Sequence, residues 1–388
     1  MAQNQIGKTL VIFVRGFRGV NGGVGLRGEF KTQLNRFLTT SGHEPAIDLS
    51  IVGLPALRAM MNGAPGRAVD IVEIDWEPTI GKLSDQQVVR RILTGLYLMA
   101  RGFIASWAAL GSFGFFYLTF LNCMVILSWL YLAIAAGLGA LDKLKTDSTV
   151  SVPHPAWLAT IYHALLPHGV PFVVATLFVG FLTALGVSSD LIVNMADTYV
   201  RYLNNGRGLT SRQSLHESLV QLAFTGAVAA RRSDTYERFV VLGHSFGAVI
   251  AVEAASRLAT WLAEPDTGLD GAVELVTVGT FFNYLRAINA TALAGIMTNA
   301  DAVSRWRDFF SPQDAVANSR PFAPAPKVYK GQRIDLRPVT PWQIITTETH
   351  AFYFRDNAIF EAILNAGEPS TVQPEDEIGV VGRERVRT

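Results

Sequence analysis

A serine at the centre of a glycine-flanked pentapeptide is the residue of this chain best suited to covalent chemistry. The pentapeptide is Gly243-His244-Ser245-Phe246-Gly247. Residues 238–242 before it form an apolar run that predicts a strand, and residues 248–259 after it predict a helix. A sharp strand-to-helix turn pushes the serine oxygen out of the sheet, and small residues two positions away on either side let the backbone turn tightly. The pattern predicts that Ser245 is an activated nucleophile.

This pentapeptide, with its strand and helix, resembles the nucleophile elbow of the α/β-hydrolase superfamily, in the style of its lipases and esterases. The resemblance covers roughly residues 8–80 and 190–365. It implies an α/β-hydrolase fold, in which helices flank a mostly parallel sheet, and a catalytic triad in the chain order serine, acid, histidine. A serine hydroxyl needs such partners, since a base must take its proton and a carboxylate must orient the base.

The base is sought downstream of the serine, where the chain has one histidine. His350 stands in Thr347-Glu348-Thr349-His350-Ala351, just before a predicted helix, and this segment resembles the late loop that carries the family's catalytic histidine. The other histidines are less suitable. His43 and His216 precede the elbow, and His154, His163 and His168 lie in the predicted membrane insertion. His244 belongs to the elbow itself, and its side chain is expected to turn aside.

The acid is sought between the serine and His350. Asp314 follows a predicted short strand, and its segment resembles the family loop in which an acid supports the histidine. Asp308 is the competitor, although a residue inside the strand has less freedom to reach the loops at the sheet's carboxyl edge. Asp301 and Asp335 are weaker alternatives.

The resemblance also implies an oxyanion hole made by the backbone N–H groups of Phe246 and of Phe17, in the loop after the first strand. Many relatives carry His-Gly in that loop, whereas this chain has Arg15-Gly16. Two interpretations of Arg15 stay open. It binds a phosphate or carboxylate of the substrate, or it pairs with a neighbouring acid.

Strands and helices that would carry these residues can be recognised in two separate parts of the chain. Buried runs predict strands, and amphipathic or alanine-rich segments predict helices. The predicted strands are Leu10–Val14, Val69–Trp76, Arg238–Leu242, Val273–Gly279 and Trp306–Phe310, and the predicted helices are Glu29–Leu38, Met195–Leu203, Gln213–Arg231, a helix from the elbow to Trp261, Ala287–Met297 and Tyr353–Leu364, with a proline-rich loop at 312–341.

Two long apolar runs interrupt this pattern. Residues 102–141 and 169–189 contain no charged side chain, and about 20 apolar residues span a bilayer. We therefore expect an integral membrane protein with the lipid bilayer as a partner, and we favour two crossings over four. Arginines flank the first run on the side of the hydrolase part, which favours a cytoplasmic location for that part. A buried helical hairpin is the alternative. The expected domains are a first α/β part at 1–90, a membrane insertion at 91–189, a second α/β part at 190–367 and a loose tail at 368–388.

Composition narrows the functional classes. The net charge of +1 gives no electrostatic reason to expect nucleic acid, and the single cysteine, Cys123, cannot form an internal disulfide. No cofactor or metal site is expected. The preferred function is hydrolysis of carboxylic esters, with lipid or other acyl-chain substrates suggested by the membrane interpretation. Two alternatives remain: cleavage of a thioester or amide by the same triad, and a membrane sensor or interaction protein that keeps a hydrolase fold without turnover.

Overall fold

The computed structural model describes the α/β part of the chain that carries the predicted site. It describes residues 8–17, 28–62, 67–80, 202, 215–234, 236–264, 273–314, 317, 321–322, 325–345 and 348–364.

A single eight-stranded sheet runs through the described residues. The strands are β1 (Thr9–Val14), β2 (Ile47–Ile51), β3 (Leu54–Met61), β4 (Arg67–Ile74), β5 (Arg238–His244), β6 (Val273–Val278), β7 (Arg305–Phe310) and β8 (Tyr329–Arg333). Their order is β2-β3-β4-β1-β5-β6-β7-β8. The six strands from β4 to β8 in this order are parallel, and the hairpin β2–β3 adds an antiparallel edge. The expectation of a mostly parallel α/β sheet is confirmed.

The central strand β1 joins the two parts of the chain. β1 pairs with β4 on one side and β5 on the other, so that Ile12 lies opposite both Val72 and Val241. Strands from before and after the two apolar runs therefore form one sheet.

Helices cover both faces of this sheet. The described α-helices are α1 (Glu29–Thr40), α2 (Glu77–Ile80), α3 (Leu215–Ser233), α4 (Phe246–Leu262), α5 (Phe282–Ile288), α6 (Ala290–Met297), α7 (Pro341–Ile345) and α8 (Asn357–Leu364). Alternate residues of β1 enter two cores: Ile12 packs in the core that includes α3 and α4, and Phe13 packs in the core that includes α1 and α8. Every side chain of β1 is buried, which explains its unbroken apolar run.

The structure differs from the sequence-based prediction at four places. The first part contains the hairpin β2–β3, which was not predicted, and the loop predicted at 312–341 contains the edge strand β8. The helix predicted at Ala287–Met297 begins at Ala290 as α6, while its first two residues end α5; Asn289 separates the two helices, because it accepts a hydrogen bond of 3.0 Å from the Ala292 N–H and caps α6. The helix predicted at Tyr353–Leu364 is the 3-10 helix Glu348–Arg355 followed by α8.

The predicted localisation requires a correction. Within the described residues, none of the helices combines the length and the apolar character needed to cross a bilayer. On that finding, the expectation of an integral membrane protein with two or four crossings and a cytoplasmic hydrolase part is wrong. The runs at 102–141 and 169–189, the insertion at 91–189 with Cys123, and the tail at 368–388 lie outside the described residues.

Candidate active site

Ser245 stands at a strained turn between β5 and α4. Its backbone has φ 55° and ψ −127°, a left-handed conformation that is uncommon for a residue with a side chain. The Ser245 N–H donates to the Val278 carbonyl at the end of β6, at 2.9 Å. Strand, turn and helix are thus those predicted for an elbow, and the neighbouring strand fixes the serine backbone at the carboxyl edge of the sheet.

The glycines around this turn are required by close backbone approach. A Cβ at Gly247 would lie 2.1 Å from the Val14 carbonyl oxygen, and a Cβ at Gly243 would lie 2.5 Å from the Ala248 Cα. A Cβ at Gly16 would lie 2.7 Å from the Ser245 Cβ. The end of β1 and the loop after it therefore lie directly against the serine turn.

The predicted acid and base are in contact. The His350 ring donates from Nδ1 to the Asp314 Oδ2 at 2.7 Å. Asp314 follows β7 and is buried, whereas His350 lies in the 3-10 helix and is partly exposed. Because a carboxylate accepts this bond, Nδ1 carries the proton, and Nε2 is left as the basic atom.

Ser245 and His350 are brought together around Val278 and Gly279. Ser245 bonds to the Val278 carbonyl, while a Cβ at Gly279 would lie 3.1 Å from the His350 Cε1. The Ser245 Oγ and the His350 ring do not form a hydrogen bond with each other in this structure. Ligand-free active sites often have long catalytic hydrogen bonds that tighten when substrate binds.

The side chain of His244 contacts the main chain of His350, the predicted base. Its Nε2 donates to the His350 carbonyl at 3.0 Å, and the two rings lie 5.0 Å apart at 36°. Burial, followed by the nearby His350, lowers the pKa of His244 to about 3. The ring is therefore neutral at ordinary pH. No local sequence pattern predicts this contact.

Tyr353 is a second neighbour that sequence reasoning missed. It is completely buried one turn after His350, and burial together with the charge of Asp314 raises its pKa well above the ordinary value. The phenol thus stays protonated beside the acid. Its position three residues after His350 on a helical turn is the signal that would have pointed to it.

The competing acids have other partners. Asp308 is buried in β7 and accepts hydrogen bonds from Thr277 at 2.8 Å, Thr280 at 3.1 Å and Tyr329 at 2.8 Å. Burial raises its pKa to about 6, although these hydroxyls oppose the shift. Asp301 accepts from the Lys327 N–H, and exposed Asp335 pairs with Arg337. Asp314 is thus the candidate whose carboxylate reaches His350.

The predicted oxyanion residues converge on the serine turn. The Phe17 and Phe246 rings are 5.3 Å apart, and both pack on Trp76. Phe246 is the first residue of α4, where the partial positive charge of the helix end favours a developing anion. The placement suits the predicted roles of both N–H groups, which remain predictions.

Arg15 pairs with acids. Its side chain is 2% exposed and contacts Glu73, Asp75 and Glu77. Burial alone would lower the pKa of Arg15, but the hydrogen bonds and charges of Glu77 and Asp75 outweigh it, so that the pKa is raised. Of the two interpretations of Arg15, the structure supports pairing with neighbouring carboxylates.

Among the described residues, no three His, Cys, Asp or Glu side chains group as metal ligands. Comparison of the chain with protein-family models, with curated proteins and with solved structures found no match. Fold and site together define the class: a mostly parallel α/β protein with a serine on a strained strand-to-helix turn, beside a hydrogen-bonded histidine and aspartate.

Proposed function

We propose that this protein is a serine hydrolase of the α/β-hydrolase type that cleaves carboxylic esters. The observation that carries the proposal is the strained turn of Ser245 next to the Asp314–His350 hydrogen bond. A serine in this conformation presents its oxygen at the sheet edge, and a histidine oriented by a buried carboxylate is the base that it needs.

In the proposed reaction, the Ser245 Oγ attacks the ester carbonyl carbon while the His350 Nε2 takes the serine proton. Asp314 stabilises the imidazolium, and the N–H groups of Phe246 and Phe17 stabilise the oxyanion. His350 then protonates the departing alcohol, which leaves an acyl-serine. Water attacks the acyl group, gives its proton to His350, and the acid is released as the proton returns to Ser245. The sum is ester plus water to acid plus alcohol.

The acyl group of the substrate is a separate question. A lipid substrate was expected only from membrane insertion, so no acyl-chain length is proposed. What the geometry supports is the acyl-transfer step itself, which an ester, thioester or amide would share. Esters are preferred because the elbow resembles those of lipases and esterases.

The test uses the full chain and p-nitrophenyl esters from acetate to palmitate. We expect Ser245→Ala to lower kcat/KM by at least about 10³-fold, because removing a triad nucleophile leaves only binding and oxyanion stabilisation. The control is Ser50→Ala, an exposed serine of β2, which should retain wild-type activity. A fluorophosphonate should label the wild type at Ser245.

Equal hydrolysis by wild type and Ser245→Ala would rule out Ser245 as the nucleophile. Absence of both turnover and labelling in folded wild-type protein would support a protein without catalytic activity. Labelling with turnover of acyl thioesters or amides alone would keep the triad and change the bond.

A further inference from the structure

We infer that Arg15 is a positioning residue that fixes the orientation of the second oxyanion donor, the Phe17 N–H. This inference rests on the proposed function. Arg15 donates from Nη1 to the carbonyl oxygen of Gly16 at 3.2 Å. That carbonyl belongs to the same peptide unit as the Phe17 N–H, so the side chain of one residue controls the peptide plane that follows it.

Because the peptide unit is planar, the direction of the Gly16 C=O sets the direction of the Phe17 N–H. In a trans peptide the C=O and N–H point in opposite directions, and rotation of the plane carries both. With its C=O directed at the Arg15 guanidinium, this peptide must direct the Phe17 N–H away from the guanidinium. Gly16 lies against the Ser245 side chain, so this peptide unit is next to the nucleophile.

The preceding peptide is held as well. The Trp76 Nε1 donates to the Arg15 carbonyl at 2.6 Å, and Trp76 is completely buried. Two successive carbonyls of the loop after β1 are therefore fixed by side chains. A preorganised donor is worth more to catalysis than one that must rotate into place during the reaction.

Three carboxylates hold the guanidinium in its position. The Arg15 Nε lies 3.1 Å from the Glu73 Oε1, and Nη2 contacts both Asp75 and the Glu77 Oε2, the latter at 3.1 Å. We call these three carboxylates the clamp. Glu73 belongs to β4, and Asp75 and Glu77 follow β4, so the clamp is anchored on the strand next to β1.

This arrangement needs arginine. Its planar fork offers donors in several fixed directions at once, which allows bonds to the carboxylates and to the Gly16 carbonyl together. A lysine keeps the charge but presents one compact ammonium group. Because the carboxylates surround the guanidinium and bury it, Arg15 contributes geometry to the site and is not placed to bind an anionic substrate.

The experiment compares Arg15→Lys with Arg58→Lys in the full chain, using p-nitrophenyl acetate and a p-nitrophenyl ester whose acyl group bears a free carboxylate. Arg58 is the matched control, because it also pairs with a buried carboxylate, Asp70, at 2.6 Å, on the far side of β4 from β1. Loss of one oxyanion donor in a serine enzyme costs about 10²- to 10³-fold in kcat. We expect Arg15→Lys, which loosens the donor without removing it, to lower kcat about ten- to a hundredfold with KM changed less than about threefold. Arg58→Lys should keep wild-type kcat.

A second pair of measurements separates positioning from stability. Glu77→Gln removes one charge of the clamp at a partly exposed position and should lower kcat about two- to fivefold. A phenylboronic acid, whose adduct with Ser245 places an oxygen in the oxyanion hole, should lose affinity in Arg15→Lys by the same factor as kcat. Thermal unfolding checks that each variant is folded.

Wild-type kcat in folded Arg15→Lys would overturn the inference while leaving the proposed function intact. A rise in KM limited to carboxylate-bearing esters would also overturn it, because that result assigns Arg15 to substrate binding. If Arg15→Lys does not fold, an unchanged kcat in Glu77→Gln overturns it. An inactive, unlabelled wild type would reject the proposed function itself.

Discussion

The side chain of His244 and the main-chain carbonyl of His350 meet in a hydrogen bond of 3.0 Å, so the residue before the proposed nucleophile holds the loop of the proposed base. A carbonyl oxygen only accepts, which requires the proton of the neutral His244 ring to lie on Nε2. Since burial keeps the pKa of this ring near 3, His244 adds no positive charge beside the imidazolium that His350 would form in the proposed reaction.

Two amide substitutions at His244 test this contact. Glutamine places its amide nitrogen near the position of Nε2, and asparagine places it near Nδ1, too far to reach the His350 carbonyl. We expect His244→Gln to keep kcat within about threefold and His244→Asn to lose about five- to tenfold, the effect of one hydrogen bond. Ester hydrolysis across a pH series measures both; equal losses in the two variants would contradict the assignment.

At this scale, the sequence predicts residue types and chain order but not long-range partners. Ser245 is found from its local pattern, and His350 as the histidine downstream of it. The contact between His244 and His350 joins residues 106 positions apart, and the acids around Arg15 follow an intervening helix and hairpin. No local pattern encodes such pairs.

At the scale of elements, the first turn of α4, directly after Ser245, packs on the end of the central strand β1. Gly247 permits this contact, because its missing Cβ leaves room for the Val14 and Arg15 carbonyl oxygens, at 2.1 and 2.3 Å from the Cβ position. Both neighbours are backbone atoms of β1 or the residue after it, which cannot move without shifting the strand from β4 and β5.

We therefore expect Gly247→Ala to lower the free energy of unfolding by at least about 3 kcal/mol, the upper range for overpacking. The matched control is Gly295→Ala in α6, where a Cβ meets no atom within 4 Å. That change should raise stability by about 0.5–1 kcal/mol, because alanine favours helix over glycine. Urea unfolding measures both, and a Gly247→Ala protein as stable as wild type would show that β1 and α4 separate easily.

Elements with a strong pattern of buried β-branched and aromatic residues were predictable. Two strands without that pattern were not: β3 is mostly apolar but contains Pro55, which argues against a strand, and β8 is polar. The hairpin β2–β3 turns at Val52 and Gly53, whose φ values of 52° and 78° suit the favoured two-residue turn, but valine is not a residue that signals it. The edge strand β8 reads Tyr-Lys-Gly-Gln-Arg and has no apolar run. Charged residues protect such edges from pairing with other chains, and they also remove the apolar periodicity by which a strand is predicted.

At the scale of the whole molecule, the buried carboxyl of Asp308 makes stability depend on pH. Its pKa is about 6 in the folded chain against 3.8 ordinarily, mainly because burial disfavours the charge. The folded state thus binds the proton more tightly than the unfolded state. The stabilising contribution is fully present below about pH 4 and is lost as the pH rises through about 6.

Asp308→Asn removes this titration. We expect the free energy of unfolding of the wild type, relative to the variant, to fall by about 2 to 3 kcal/mol between pH 4 and pH 7, the equivalent of the raised pKa. Urea unfolding at a series of pH values measures the difference. Parallel curves for the two proteins would show that Asp308 does not titrate in this range.

The pairing of β1 with β5 also sets the order of events when the chain is made. Thr9 lies opposite Arg238, about 230 positions later, so one edge of the innermost strand has no partner until that distance has been translated. At about 5–20 residues per second, the wait is roughly ten to fifty seconds. During this interval β1, which is apolar from Leu10 to Val14, exposes an open hydrogen-bonding edge. We therefore expect the nascent chain to be bound by chaperones and aggregation to begin at the early strands.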